Sequence, residues 1–264
     1  MQNKKKIKIF QKIYNRPISC LTAYSSSFAS LMDGIVDIVL VGDSLGTVLY
    51  GMKNTQGVSL DLMKLHGLAV RKNLKKSLMI IDMPYKTYNT KKNAYKNSKE
   101  LLNYTHSDFL KFEINRKQLP ILKFLTEKGI NVVAHIGVTP QKFKDFKKIK
   151  SVGKKETEMK NLINLAILSE KAGAKIILME CVAEKTAKLI TSKVNIPTIG
   201  IGSSKFCDGQ VLVTDDLLNM DGKKIKPKFV KNYTNLNKII KQSIKKFVID
   251  IKLKKYPSKK FTYY

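Results

Sequence analysis

The chain has 264 residues, 43% of them hydrophobic, enough for one large α/β domain with its own core and unlike a disordered chain. The formal net charge is +30, from 50 Lys and Arg against 20 Asp and Glu, yet only Arg16, Arg71 and Arg116 are arginines. The planar guanidinium makes most specific phosphate and base contacts, so this scattered Lys excess reads as a solvated surface and not as a nucleic-acid-binding one.

Residues 1–15 are charged but lack the apolar core of a signal peptide, and no stretch approaches the ~18 apolar residues of a membrane span. Cys20, Cys181 and Cys207 are too few and too far apart for a disulfide framework or a zinc site, which points to a reduced, cytoplasmic setting. Strand-like runs follow near 18–23, 37–42, 78–82, 109–113, 131–135, 175–180, 196–200 and 210–213. Between most of them lie stretches with helical spacing. One begins at a good N-cap, Ser59, and repeats apolar residues at Leu62, Leu65, Ala69 and Val70. Two others, LPILKFLTEKG and KNLINLAILSEKAGA, stop at Gly129 and Gly173. Repeated strand and helix over this length predicts a parallel sheet closed into a single-domain (β/α)8 TIM barrel spanning 1–264. The open doubly wound sheet is disfavoured because no G-x-G-x-x-G follows the first strand. Residues 139–155 form a basic loop of the kind that covers a barrel mouth. Residues 228–264 read as a Lys-rich helix (Leu236, Ile239, Ile240, Ile244, Phe247, Val248, Ile251) and a tail, packing on the barrel or on a neighbouring subunit.

Five of the strand-like runs end in ionisable groups: DIVLVGDS in Asp43 and Ser44, SLMIIDMP in Asp82, FLKFE in Lys111 and Glu113, NVVAHIG in His135, KIILMEC in Glu180. Parallel strands aim their C-terminal ends at one shared site. Side chains alternate along a strand, so Lys111 with Glu113, Val133 with His135, and Ile176 with Leu178 and Glu180 are expected to face inward. Buried charges are costly unless they pair with each other, a metal or a ligand. Asp43, Asp82 and Glu113 close three consecutive strands and offer oxygen donors without a Cys/His cluster, which favours Mg²⁺ over zinc. Gly42 to Gly46 also satisfies G-x-S-x-G, the elbow of serine hydrolases. That reading needs a helix straight after Ser44 and a late His; TVLYGMKNTQG reads as poor for a helix and the last His is His135.

In order along the chain, LTAY (21–24), VGDSLG (41–46), the segment from Thr55 to His66, IDMPY (81–85), LKFE (110–113), HIGVTPQ (135–141), GAKIILMEC (173–181), PTIGIG (197–202) and DGQVLV (208–213) resemble the ketopantoate hydroxymethyltransferase family. The resemblance implies a barrel of the phosphoenolpyruvate/pyruvate type, a homo-oligomer (typically a decamer) and a need for Mg²⁺. It implies metal binding by Asp43, Asp82 and Glu113, keto-acid contacts by Asp43, Ser44, Asp82 and Lys111, and proton removal by Glu180. His135 matches a histidine at the rim of the site, and His66, on a helix, is expected to be structural. The implied reaction passes a hydroxymethyl group from 5,10-methylenetetrahydrofolate to 3-methyl-2-oxobutanoate, with Mg²⁺ polarising the ketone while Glu180 takes the C3 proton. The chain departs from the family at Ser25 (usually Asp), at Lys86 (usually Gly), at Ile114 and Asn115 (usually glycines), and at Ser203 and Ser204 (usually Ala-Gly). Two rival readings keep part of this evidence: a Mg²⁺-dependent lyase or mutase of α-oxo acids on the same barrel, and a basic nucleic-acid-binding protein.

Overall fold

Eight short runs of mostly branched aliphatic residues form the strands in the computed structural model, which describes residues 16–144, 150–221 and 227–263. They are β1 (Ile18–Thr22), β2 (Ile38–Val41), β3 (Leu78–Asp82), β4 (Phe109–Glu113), β5 (Val132–Gly137), β6 (Ile176–Glu180), β7 (Thr198–Ile201) and β8 (Gly209–Leu212). Each pairs in parallel with the next, and β8 returns to β1, closing the barrel that the sequence pattern predicts. Strands covered on both sides read as nearly continuous apolar runs, and all residues of β2, β3 and β4 are buried.

The two faces of these strands serve two cores. Ile38, Leu40, Leu78, Ile80, Phe109, Val133, Ile176 and Leu178 pack together inside the barrel. Their neighbours in sequence, among them Val39, Met79, Ile81, Leu110, Ala134 and Ile177, pack outward against helices. Those helices are α1 (Ser26–Met32), α2 (Leu45–Leu49), α3 (Leu60–Lys72), α4 (Lys91–Thr105), α5 (Leu119–Glu127), α6 (Glu156–Lys171) and α7 (Glu184–Lys193). As predicted, the Ser59 hydroxyl caps α3 by accepting from Leu62 N at 3.1 Å. Past the ends of α5 and α6 the chain turns at Gly129 and Gly173, at φ of 79° and 95°, in the left-handed region that a glycine enters without strain.

The chain divides into two compact units, the first ending at Leu212 and the second beginning at Val213. The second holds α8 (Thr214–Leu218) and α9 (Leu236–Lys252). The amphipathic pattern expected in 228–264 is realised in α9, none of whose residues is buried. No helix among the described residues is long and apolar enough to cross a membrane. Of the basic loop expected at 139–155, residues 145–149 lie outside the described ones; Pro140–Lys142 makes a single 3₁₀ turn.

Candidate active site

Strand register brings the predicted residues together. Asp82 lies opposite Lys111, Glu113 opposite His135, and Glu180 opposite Gly137. Ile80, Phe109, Val133 and Leu178 point into the barrel, so Asp82, Lys111, Glu113, His135 and Glu180 share the inward face of β3 to β6 at its C-terminal end. Asp43 and Ser44 follow the last residues of β2, and the Asp43 amide donates to Asp82 Oδ2 at 3.1 Å. Gly137 is obligatory here: a Cβ on it would stand 2.4 Å from the Glu180 carbonyl oxygen. Directly after Glu180, Cys181 sits at φ 51°, a left-handed conformation costly for a side-chain-bearing residue. It is fixed by Cys181 N donating to Ile201 O and by Val152 N donating to Cys181 O.

The charges are buried and mutually dependent. Lys111 Nζ lies 2.6 Å from Asp82 Oδ1. Burial opposes its charge, but Asp82 and Asp43 outweigh that and hold the ammonium above its ordinary pKa. Burial, followed by repulsion from Asp82, raises the pKa of Asp43 despite Lys111 and Gln141. Burial pushes Glu113 up to about 8, with the charges of Asp43 and Glu180 adding to the shift. His135 Nε2 stands 3.3 Å from Glu180 Oε2, yet burial and then Lys111 keep its pKa below the usual imidazole value. The imidazole is therefore neutral at pH 7.

Several residues of the site carry no charge, and sequence reasoning did not single them out as site residues. Gln141 is buried, and its Nε2 donates to Asp43 Oδ2 at 2.7 Å and to Met83 O at 3.0 Å. Tyr88 Oη donates to Gln141 Oε1 at 2.5 Å, and Gln141 N donates to Glu113 Oε1 at 2.8 Å. Thr55 is buried beside Asp43 and favours its ionised form. Tyr24 Oη and Ser44 Oγ are 2.8 Å apart. The signal for Tyr24, Thr55 and Gln141 is their place inside LTAY, the segment from Thr55 to His66, and HIGVTPQ; Tyr88 lies outside every such stretch, and of this group Ser44 alone is named from the sequence.

One expectation needs correction. A helix does follow Ser44, namely α2, because Leu45 and Gly46 are buried and tertiary contact outweighs the weak helix propensity of LGTVL. Ser44 nevertheless lies at φ −53° and ψ −18°, ordinary helical backbone and not the strained turn of a nucleophile elbow. His66 lies on α3, the helix expected for it. It is half-buried and bridges two segments, with Nδ1 2.5 Å from Tyr24 O and Nε2 2.9 Å from Tyr50 Oη.

The family departures find local explanations. Ser25 caps α1, accepting from Phe28 N at 3.3 Å, a task Asp performs equally well. Ile114 is buried in the outer core, and Asn115 Oδ1 accepts from Lys117 N at 2.8 Å. Ser203 Oγ accepts from Val182 N and donates to Met179 O, bracing the strand end that bears Glu180. Ser204 is buried, its Oγ accepting from Phe206 N at 3.2 Å.

Four carboxylates, Asp43, Asp82, Glu113 and Glu180, face one lysine, and their chemistry suits a hard divalent cation with oxygen ligands. Among the described residues no three His, Cys, Asp or Glu side chains form a ready-made metal cage. Mg²⁺ does not need one: it typically keeps several waters and takes one or two carboxylates together with substrate oxygens. The adjacent Asp43 and Asp82 meet that requirement, and a cation there would relieve the repulsion that raises Asp43. Glu113 joins them through Gln141.

Residues 4–259 match the family model described as ketopantoate hydroxymethyltransferase. A 3-methyl-2-oxobutanoate hydroxymethyltransferase of Pelagibacter ubique is 45% identical over 99% of this chain and 100% of its own length. Among solved structures, phosphonopyruvate hydrolase in complex with oxalate and Mg²⁺ superposes with a TM-score of 0.62 at 9% identity, over 95% of this chain and 98% of that one. A 2,3-dimethylmalate lyase, a member of the PEP mutase/isocitrate lyase superfamily, gives 0.59 at 11% identity over 92% and 97%. At such identities these two likenesses establish the barrel type alone.

Proposed function

Since the chain belongs to the ketopantoate hydroxymethyltransferase family, we propose that it transfers a hydroxymethyl group from 5,10-methylenetetrahydrofolate to 3-methyl-2-oxobutanoate, yielding 2-dehydropantoate and tetrahydrofolate for pantothenate biosynthesis. The observation that carries this reading is the set of Asp82, Lys111, Glu113, His135 and Glu180 on the inward face of four successive strand ends, above an apolar barrel interior.

Asp43 and Asp82, with Glu113 beside them, are the residues that would hold Mg²⁺, which would supply Lewis-acid polarisation of the ketone. The Lys111 ammonium, kept charged by its carboxylate neighbours, attracts and orients the anionic keto acid. Ser44 Oγ, positioned by Tyr24 Oη, offers a hydrogen bond at the same rim. Glu180 is the most exposed of the site carboxylates, its side chain 20% accessible, and so the one best placed to meet substrate. It takes the C3 proton and the C–H electron pair moves into the enolate. Water cleaves the two C–N bonds of the methylene bridge, its two hydrogens passing to the folate nitrogens as tetrahydrofolate leaves. C3 bonds to the formaldehyde-level carbon, whose oxygen takes up the proton from Glu180 to become the hydroxyl. The neutral His135 beside Glu180 accommodates the carboxylate before the transfer and the carboxylic acid after it. We place the enzyme in the cytoplasm, in keeping with three free cysteines, all buried. We further infer a homo-oligomer, a decamer as in the family. Ile239, Ile244, Phe247 and Ile251 of α9, each at least 45% exposed, give it apolar surface to bury.

Release of tetrahydrofolate from methylenetetrahydrofolate tests the reading. It should require the keto acid and stop when divalent ions are chelated. Release that is indifferent to the keto acid would overturn it.

A further inference from the structure

We propose that Gln141 is a positioning residue of the cation site, holding Asp43 with its side chain and Glu113 with its backbone. The proposal deepens the functional reading above and rests on its Mg²⁺ assignment. Five hydrogen bonds converge on this residue, which is 3% exposed. Nε2 donates to Asp43 Oδ2 at 2.7 Å and to Met83 O at 3.0 Å; Oε1 accepts from Tyr88 Oη at 2.5 Å. The backbone N donates to Glu113 Oε1 at 2.8 Å, and the backbone O accepts from Gln56 Nε2 at 2.8 Å.

Chemistry dictates the orientation of the amide. Turned over, it would set its oxygen against the Asp43 carboxylate and the Met83 carbonyl, three acceptors with no proton among them. The Tyr88 hydroxyl, itself buried, locks the favourable orientation by filling the one acceptor the amide has. Asp43 and Glu113 stand on different strand ends, and no other described hydrogen bond ties both to one residue. A neutral donor is what the position requires: a lysine would compete with the cation, and a glutamate would add a fifth carboxylate. Groups that orient metal ligands in this way typically change affinity by about 10- to 100-fold when removed.

The test is Mn²⁺ binding to the full chain, followed by electron paramagnetic resonance in the presence of 3-methyl-2-oxobutanoate, alongside thermal unfolding. Gln141→Met keeps the backbone bonds and removes the amide; it should weaken Mn²⁺ about tenfold or more, with a normal number of sites per folded molecule. Tyr88→Phe keeps shape and removes only the orienting hydroxyl, so it should weaken Mn²⁺ by a few-fold and leave the unfolding midpoint nearly in place. A merely structural residue would lower the folded fraction without altering the affinity of what remains folded. Wild-type binding matched by both variants would overturn the role of Gln141 while leaving the cation reading intact. If Gln141→Met does not fold, unchanged affinity in Tyr88→Phe overturns it alone. Failure of the wild type to bind Mn²⁺ would remove the cation reading itself, and this proposal with it.

Discussion

Along β3 to β6 the barrel interior changes character within two residues. Leu78, Ile80, Phe109, Val133 and Ile176 fill the lower interior, whereas Asp82, Lys111, Glu113, His135 and Glu180 stand above them on the same strand faces. Burial does not separate the two layers: His135 and Asp82 are 2% exposed, as is Leu178. The lower layer gains stability from every atom it removes from water. The upper layer loses solvation and recovers only part of it through Lys111, Gln141 and register neighbours. A rigid apolar base thus carries a costly polar rim, and the two should respond to mutation in opposite ways.

The largest effect expected is chemical. Glu180→Gln should slow exchange of the C3 proton of 3-methyl-2-oxobutanoate with solvent by about 10²- to 10⁴-fold, the usual contribution of a general base. Its unfolding temperature should stay close to that of the wild type, because Glu180 is the least buried of the site carboxylates. Exchange at the normal rate would remove Glu180 from its role as base. Ile80→Ala inverts the outcome. It opens a cavity at a fully buried position of the lower layer and should cost about 2–5 kcal/mol in urea unfolding. Activity per folded molecule should survive; a loss of turnover larger than the loss of folded protein would show that the two layers are coupled.

A carboxylate of the rim allows the comparison to be made by titration. Burial raises the pKa of Glu113 from 4.5 to about 8 in the folded chain. A raised folded pKa means that the folded state binds the proton more tightly than the unfolded one. The associated stability is intact below about pH 4.5 and is lost as pH climbs towards 8, on the order of a few kcal/mol in total. Glu113→Gln carries no such penalty, so without divalent ions it should match the wild type near pH 4 and become the more stable protein towards pH 8. Added Mg²⁺ should narrow the gap at pH 8. Parallel wild-type and variant stability curves across that range would mean that Glu113 is ionised without cost.

The lower layer and the strand order were legible in the sequence because doubly covered strands write themselves as apolar runs, and five of those runs end in the ionisable groups they deliver. Period-two alternation then gave the inward set, Lys111 with Glu113 and Leu178 with Glu180, before any coordinates. The neutral partners were not legible in the same way. Gln141 reaches Asp43 across 98 residues of sequence, and an amide or a phenol has no composition signal that separates it from an ordinary loop residue. The short helix α2 escaped for a different reason: five residues with a Gly, a Thr and a Val offer neither periodicity nor propensity, and burial of Leu45 decides the outcome.

The smallest effect expected lies at the margin of the rim, where the chain leaves β3. Pro84 to Thr87 form a turn, with Thr87 N donating to Pro84 O at 3.2 Å, and Lys86 occupies its third position at φ 66°. Turns with a positive φ there ordinarily use glycine, which is what the family carries, because a Cβ crowds the backbone in this region. Lys86 is exposed and its ammonium lies over the Tyr85 ring, 5.4 Å from the centroid, so little else opposes a substitution. Lys86→Gly removes about 1–2 kcal/mol of left-handed strain and adds about 0.5–1 kcal/mol of unfolded-state entropy. A net gain of up to about 1.5 kcal/mol should follow. Lys86→Ala retains the Cβ and should gain nothing, which makes it the control for loss of charge and of the ring contact. If glycine and alanine shift the urea midpoint equally, the turn is unstrained and the family's glycine answers to something other than this backbone angle.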